Sequence, residues 1–400
     1  FGTDQIIKIS GNLEGILNDF TFKNADVRAG TSRIRGDYDF KNILKEDDSY
    51  MISIANHNIT TSYYEMRRLM PRVLGDVLPK EIKNLGTFNF RGNTSITSTD
   101  LITNSVIRST IGNADANFIM GNINNFDHAY YRGSIVLNQF NLGKIAGTIS
   151  LGKVTADLKF DGRGFTQNTV NTAISGGISS FYFEGYNYKK IKLSGYLKNP
   201  LFNGDLTIDD PNLKMEFHGL VDVSKDFNQY DFEADVVFAE LNKLNLIKRD
   251  SVSVFAGKII MDMDGTTVDN AQGTISLNQT FYQNERDDYY FDDFKIISSF
   301  NEDIRSIEIN SPDIVNGSIR GKFLVKDIPD LFRNGVGSIY ANFIPNEVTN
   351  NQYINYEFAI YHKIVEVFVP QLKLGENTKV KGSVSSDESK FKLNFKAPEI

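Results

Sequence analysis

Apolar and polar residues alternate with a period of two along almost the whole chain, and this constrains the fold more than any other feature. In "NLKMEFHGLVDV", Leu213, Met215, Phe217, Val221 and Val223 fall on one face of an extended chain, with Lys214, Glu216, His218 and Asp222 opposite. That is the pattern of a half-buried antiparallel strand. It recurs in "YDFEADVVFAEL" through Phe232, Val236 and Phe238, and in "GKIIMDMDG" through Ile259, Met261 and Met263. It appears again in "GSIRGKFLV" through Ile319, Phe323 and Val325, while Leu193, Leu206 and Ile208 join the same apolar set upstream. Nearer the start, Phe88 with Phe90 and Val154, Ala156, Leu158 and Phe160 repeat it.

Gly, Asn and Asp pairs punctuate these runs, and Asn203–Gly204, Asp264–Gly265, Asn316–Gly317 and Asp161–Gly162 read as turns. Further glycines lie inside the apolar patterns, at Gly11, Gly15, Gly195, Gly219 and Gly321. Repeated in-strand glycine implies sheet curvature or close backbone approach. Helical signals are few. Leu69, Met70, Val73, Leu74, Val77 and Leu78 keep helical spacing despite Pro71, Gly75 and Pro79, and shorter turns are predicted in "AELNKLNLIK" and "VKDIPDLFRNG".

A unit of one strand plus a turn, roughly 12–15 residues, would give about 27–33 strands and a sheet on the order of 130–160 Å long. The predicted fold is all-β: an elongated, twisted antiparallel sheet folded lengthwise into a groove, or taco, with an apolar interior and few short helices. The 400 residues read as one continuous β-groove segment, with a weak subdivision near residue 190 separating 1–190 from 191–400. The chain has too few helices to cover so many strands, and no break divides it into sandwich-sized domains.

The net charge of -7 is spread along the chain without a basic stripe, which argues against a nucleic-acid partner. Cysteine is absent, so disulfides and thiolate metal sites are excluded. No apolar run approaches the roughly 20 residues of a membrane-spanning helix. The N-terminus has no starting Met, basic segment or apolar leader core. These residues are therefore expected to be the ordered part of a longer chain, with any anchor lying outside them.

Asp209 and Asp210 pose the sharpest chemical question. Adjacent strand residues point to opposite faces and would not converge on one substrate atom, and Pro211 and Asn212 favour a turn. The pair is predicted to be an exposed hairpin corner. "NERDDYYFDDFKI" carries Glu285, Asp287, Asp288, Asp292 and Asp293 but lacks calcium-loop spacing and its glycine, so it reads as a solvated loop leading into "FKI". His57, His128, His218 and His362 show no metal spacing and are predicted on polar strand faces. No G-x-S-x-G or phosphate-binding glycine motif is present. An enzyme is not expected, and no cofactor or metal is needed.

From "LSGYLKNPLFNGDLTIDDPNLKMEFHGLVDVSKDFNQYDFEADVVFAELNKLNL" through "DGTTVDNAQGTISLNQTFY" to "SPDIVNGSIRGKFLVKDIPDLF", the chain resembles the middle of TamB-family proteins, part of the AsmA-like superfamily of Gram-negative envelopes. "GNLEGILNDFTFKNADVRAGTSRIRGDYDF" and "LPKEIKNLGTFNFRGNTSIT" are similar to upstream repeats of that family. The resemblance implies a taco-shaped sheet anchored at the inner membrane by an N-terminal helix and crossing the periplasm. It also implies an Omp85-type barrel as outer-membrane partner, engaged through regions outside this chain, and a role in outer-membrane biogenesis.

The leading expectation is thus a lipid conduit whose groove shelters phospholipid acyl chains. Its lining would be Leu193, Leu206, Ile208, Leu213, Met215, Phe217, Val221, Val223, Phe232, Val236, Phe238, Ile259, Met261, Met263, Ile319, Phe323 and Val325. The alternative is a scaffold or chaperone offering a sheet edge to nascent barrel strands. A polysaccharide-binding or β-solenoid enzyme is the weakest reading, because the chain has no Trp.

Overall fold

The computed structural model describes residues 6–44, 49–69, 80–125, 127–166, 168–198, 200–223, 228–338, 342–362, 375–387 and 391–396. These residues form 22 antiparallel strands in one open sheet, and helical segments make up 9%. The strand count falls below the 27–33 expected because individual strands are long, up to 14 residues, and the connections between some of them carry helices and turns.

Two compact units divide the chain, Phe1–Asn199 with Leu206–Pro211, and Pro200–Asp205 with Asn212–Ile400. The division falls inside β12 (Leu201–Asp210), later than the subdivision near residue 190. In the first unit, β1 (Ile7–Ile16) to β11 (Tyr186–Lys198) form a meander in which each strand pairs with the next. The second unit continues the pattern from β13 (Leu213–Val223) to β22 (Phe391–Lys396).

Two-residue links join many neighbours, among them Leu17–Asn18, Thr110–Ile111 and Pro211–Asn212. Of the four predicted X-Gly turns, only Asp264–Gly265 ends a strand, at the close of β15 (Ser253–Asp264). The other three lie inside β9 (Leu151–Arg163), β12 and β19 (Val315–Lys322). The reason is visible at Gly317, where an added Cβ would stand 2.2 Å from the Glu357 carbonyl of the paired strand. Glycine serves close approach there rather than chain reversal.

Bulges interrupt the ladders of the first unit at a recurring type of residue. Asn24 in β2 (Asp19–Ala29), Asn56 in β4 (Met51–Ser62) and Gln139 in β8 (Tyr130–Asn141) sit at register shifts with left-handed φ of 51°, 53° and 49°. Each amide that leaves the ladder is caught by a side chain of the following strand: Asn24 N donates to Asp37 Oδ1 (2.8 Å), Asn56 N to Asn93 Oδ1 (2.9 Å) and Gln139 N to Thr155 Oγ1 (3.2 Å). Each contact gives a partner to an amide that the bulge takes out of the ladder.

The predicted long helix is described only at its flanks, as helix Tyr63–Leu69 and a 3-10 turn at Lys80–Leu85; residues 70–79 lie outside the described residues. "AELNKLNLIK" forms consecutive hydrogen-bonded turns, and "VKDIPDLFRNG" becomes the 3-10 turn Val325–Asp327 and the helix Ile328–Gly337. A helix not anticipated, Leu142–Ala146, is capped by Asn141 Oδ1, which accepts from Lys144 N.

Candidate apolar face of the second unit

Backbone register lines the second unit's apolar side chains into rows that cross the strands. One row runs Phe232, Met261, Ile275, Ile296, Ile309, Gly317, Phe358, Val380. Beside it run Phe217, Ala234, Ile259, Leu277, Phe294 and Val221, Tyr230, Met263, Gly273, Ser298, Ile307, Ile319, Tyr356. Directly opposed residues share a face, so the rows form one apolar surface. The rings of Phe202, Phe217 and Phe232 continue it, with centroids 6.5 and 5.1 Å apart. The opposite face is charged and exposed, with His218 Nδ1 2.7 Å from Asp205 Oδ1 and Lys258 paired to Glu233.

Cover over this surface is uneven. Beyond β17 (Asp288–Asn301), helix Ile328–Gly337 packs on it: Leu331 is buried with Phe323, Ile354, Tyr356 and Val384, and Ile307 and Ile319 pack against them. Across β13, β14 (Asn228–Glu240) and β15, by contrast, Met215, Phe217, Phe232, Ile259, Met261 and Met263 stay half-buried.

The predicted lining is distributed accordingly. Leu193 is half-buried in the first unit, where Leu206 and Ile208 also face inward on β12. Leu213 and Val236 are buried, and Val221 is half-buried. Four residues depart from the expectation. Val223, at the strand end, is exposed. A bulge at Val237 shifts the alternation of β14 by one residue, so Phe238 stands opposite Lys214, and Ala239 takes the inward position at 2% exposure. Phe323 and Val325 are not strand residues: β19 ends at Lys322, Phe323 is buried beneath the helix and Val325 starts the 3-10 turn. "KDIPDLF" switches from strand to helical spacing there, with Pro329 in the first helical turn. Sequence reasoning missed Phe202, Ile275, Leu277, Ile296 and Ile309, although the alternation in "GTISLNQ" marks Ile275 and Leu277.

The chemical candidates resolve differently. Asp209 and Asp210 close β12, and the turn is Pro211–Asn212. They do point to opposite sides: Asp209 is exposed beside Lys190 (3.1 Å), whereas Asp210 is 1% exposed. The exposed-corner expectation therefore fails for Asp210, which accepts hydrogen bonds from the Tyr186 hydroxyl (2.5 Å) and from Lys189 N (2.9 Å). The acidic segment is mostly strand, because β17 begins at Asp288. Tyr289, Phe291 and Phe294 turn inward, while Asp288 and Asp293 accept from Gln283 and Asn278 on the outer side. Among the described residues, no group of three or more His, Asp or Glu could hold a metal ion.

Of the histidines, only His218 is the predicted polar-face strand residue. His128 lies in an exposed turn, and His362 follows β20 (Tyr353–Ile360). His57 is 2% exposed, stacks on Phe90 (4.4 Å between centroids) and meets Thr94 Oγ1 at 2.9 Å through Nε2. Burial pulls its pKa below the ordinary histidine value, opposed in part by the Phe90 carbonyl.

The molecule is thus of the open-sheet, all-β class with a largely apolar face in its second unit, interrupted by the buried Arg305 and Ser298. Comparison with protein-family models, curated proteins and solved structures finds no match.

Proposed function

We propose that the chain is part of a non-enzymatic, bridge-like lipid conduit of the TamB kind, acting in the periplasm of a Gram-negative envelope and supporting outer-membrane biogenesis. The observation that carries this reading is the row of half-buried Phe232, Met261 and Ile275 with its neighbours Phe217 and Ile259, a surface too apolar to face water and roofed only in part. Acyl chains laid along it gain about 0.8 kcal/mol per buried CH₂, while head groups stay in water. Movement along the face needs no cofactor. An inner-membrane anchor and an Omp85-type outer-membrane barrel as partner complete this reading.

The test is native mass spectrometry of the purified chain with its co-purified phospholipid. Met261→Asp with Ile259→Ser should lower lipid occupancy several-fold, and Glu233→Ser with Lys258→Ser on the outer face should leave it unchanged. Equal effects of the two pairs would overturn the conduit.

One observation favours the scaffold alternative. β1 pairs only with β2 among the described residues, and Ile9, Leu13 and Ile16 on it are exposed. An edge of this kind accepts an added strand. Protection of β1 amides from hydrogen exchange on adding an unfolded barrel peptide would support that reading; unchanged exchange would remove it.

A further inference from the structure

The connection between β14 and β15 folds back onto the apolar face instead of leaving it. Leu244 is 1% exposed, Leu241 N donates to Ser253 O (2.7 Å), and Asn242 Nδ2 ties the loop together through the Ile247 and Asp250 carbonyls (3.3 and 2.7 Å). Between this loop and the sheet lies a cleft of about 520 Å³, walled chiefly by Leu241, Ile247, Phe255, Leu277 and Phe291. Leu277 pairs with Ile259, so the cleft opens from the same rows that the conduit reading uses.

Its rim carries one positive charge in excess, Lys248 and Arg249 against Asp250. Lys248 and Arg249 line it. Arg249 is held in place by Asp250 (2.9 and 2.7 Å), which in turn accepts from the Tyr282 hydroxyl (3.3 Å). An apolar slot ending at Lys248 and an Arg249 already paired with Asp250, one net positive charge, complements one chemistry, an acyl chain ending in an anionic head group, and the volume suits a single ligand of that size. We infer that this cleft is a head-group-selecting site for a lipid bearing a phosphate, with the acyl chain against Phe255 and Leu277 and the phosphate at Lys248 and Arg249. The inference rests on the lipid reading above and adds to it a point at which anionic lipids are preferred over uncharged ones.

The experiment titrates the 400-residue chain with 1-oleoyl-lysophosphatidylglycerol, with uncharged 1-oleoylglycerol and with inorganic phosphate, followed by native mass spectrometry. One equivalent of the lysophospholipid should bind about tenfold more tightly than oleoylglycerol, as one or two nearby cations suffice to produce. Lys248→Glu should remove that preference and leave oleoylglycerol binding unchanged. Leu246→Asp, at a side chain 65% exposed in the free cleft wall, should weaken both amphiphiles. Both substitutions are at exposed positions, and an unchanged thermal melt confirms that each variant folds. Equal binding of the two amphiphiles, indifference to Lys248→Glu, or inorganic phosphate binding as tightly as the lysophospholipid would each overturn the proposal; the last outcome would make this a free-anion site.

The two readings fail separately. A chain that carries several phospholipids regardless of head-group charge keeps the conduit and loses the selecting site. One charge-sensitive equivalent with no further lipid on the face, unaffected by Met261→Asp, keeps the site and loses the conduit.

Discussion

The hydroxyl of Tyr186 donates to Asp210 Oδ1 at 2.5 Å, and Lys189 N donates to the other carboxylate oxygen, so a buried carboxylate at the end of β12 is held by two donors from β11. Lys190, next to that amide, has a left-handed φ of 50°. Asp210 therefore does for β11 what Asp37, Asn93 and Thr155 do for the bulges of β2, β4 and β8.

Removing this carboxylate takes a buried acceptor away from the Tyr186 hydroxyl and the Lys189 amide. Asp210→Ala should destabilise the first unit by about 2–4 kcal/mol, since it removes two hydrogen bonds to a charged group, each worth roughly 1.5–3 kcal/mol. Asp209→Ala, which removes an exposed pair with Lys190, should stay within about 0.5 kcal/mol. Urea denaturation midpoints of the two variants check the contrast; equal shifts would place the two aspartates in equivalent surroundings after all.

The same logic applies at Asn56, whose amide is caught by Asn93. Asn93→Ala should cost about 1 kcal/mol, the typical net worth of one hydrogen bond, and should speed hydrogen exchange at the Asn56 amide in particular. Asn56→Gly should be tolerated, because glycine takes a φ of 53° without strain. If exchange at Asn56 is unchanged in Asn93→Ala, the side chain is not what satisfies that amide.

Period-two alternation made the strands legible, and with them the all-β class, because burial on one face leaves a mark at every second residue. What it could not carry is parity. Each bulge shifts the alternation by one, so Phe238 reads as inward by counting from Val236 yet stands opposite Lys214. The X-Gly signal failed for a related reason, since a glycine inside a strand and one just past its end look alike in sequence; Gly317 lies within β19 against the Glu357 carbonyl, whereas Gly265 follows β15 at a φ of 135°. Buried polar groups were hidden as well. Nothing local separates Asp209 from Asp210, or His57 from His218, because their burial depends on partners 21 to 48 residues away.

His57 gives the chain a pH dependence with a definite sign. Its ring sits against Phe90 and hydroxyls of Thr94 and Ser105, with no carboxylate among these contacts, and its folded pKa lies below the ordinary value. As pH falls through about 6.5, the unfolded chain takes up a proton that the folded chain resists. Stability is therefore full above that value and declines below it, by about 1.4 kcal/mol for each unit separating the two pKa values. His57→Gln keeps a hydrogen-bonding side chain but does not titrate. The difference in denaturation midpoint between wild type and this variant should move against wild type from pH 7.5 to 5; a difference constant over that range would place the histidine in contact with solvent.

Arg305 is 3% exposed on β18 (Ile304–Ser311), and its guanidinium donates to the carbonyls of Val268, Asp269 and Ala271 and to Ser298 Oγ, with Phe300 beneath it. It thereby fixes the 266–271 connection, and Asp269 Oδ1 of that connection accepts from Val325 N (2.7 Å) at the start of the segment leading into helix Ile328–Gly337. Arg305→Met preserves much of the volume but takes the guanidinium donor from the Val268 and Asp269 carbonyls and one of two donors from the Ala271 carbonyl, and should destabilise the second unit by about 3 kcal/mol or more. Arg305→Lys restores the charge without the planar fork and should recover only part of that loss. Because the carbonyls and Asp269 belong to one connection, the damage should reach the helix. Hydrogen exchange at Leu331 and Phe332 should accelerate in Arg305→Met well before exchange in β13 and β14. Uniform loss of protection across the second unit would mean that Arg305 supports the sheet as a whole and not the helix that roofs it.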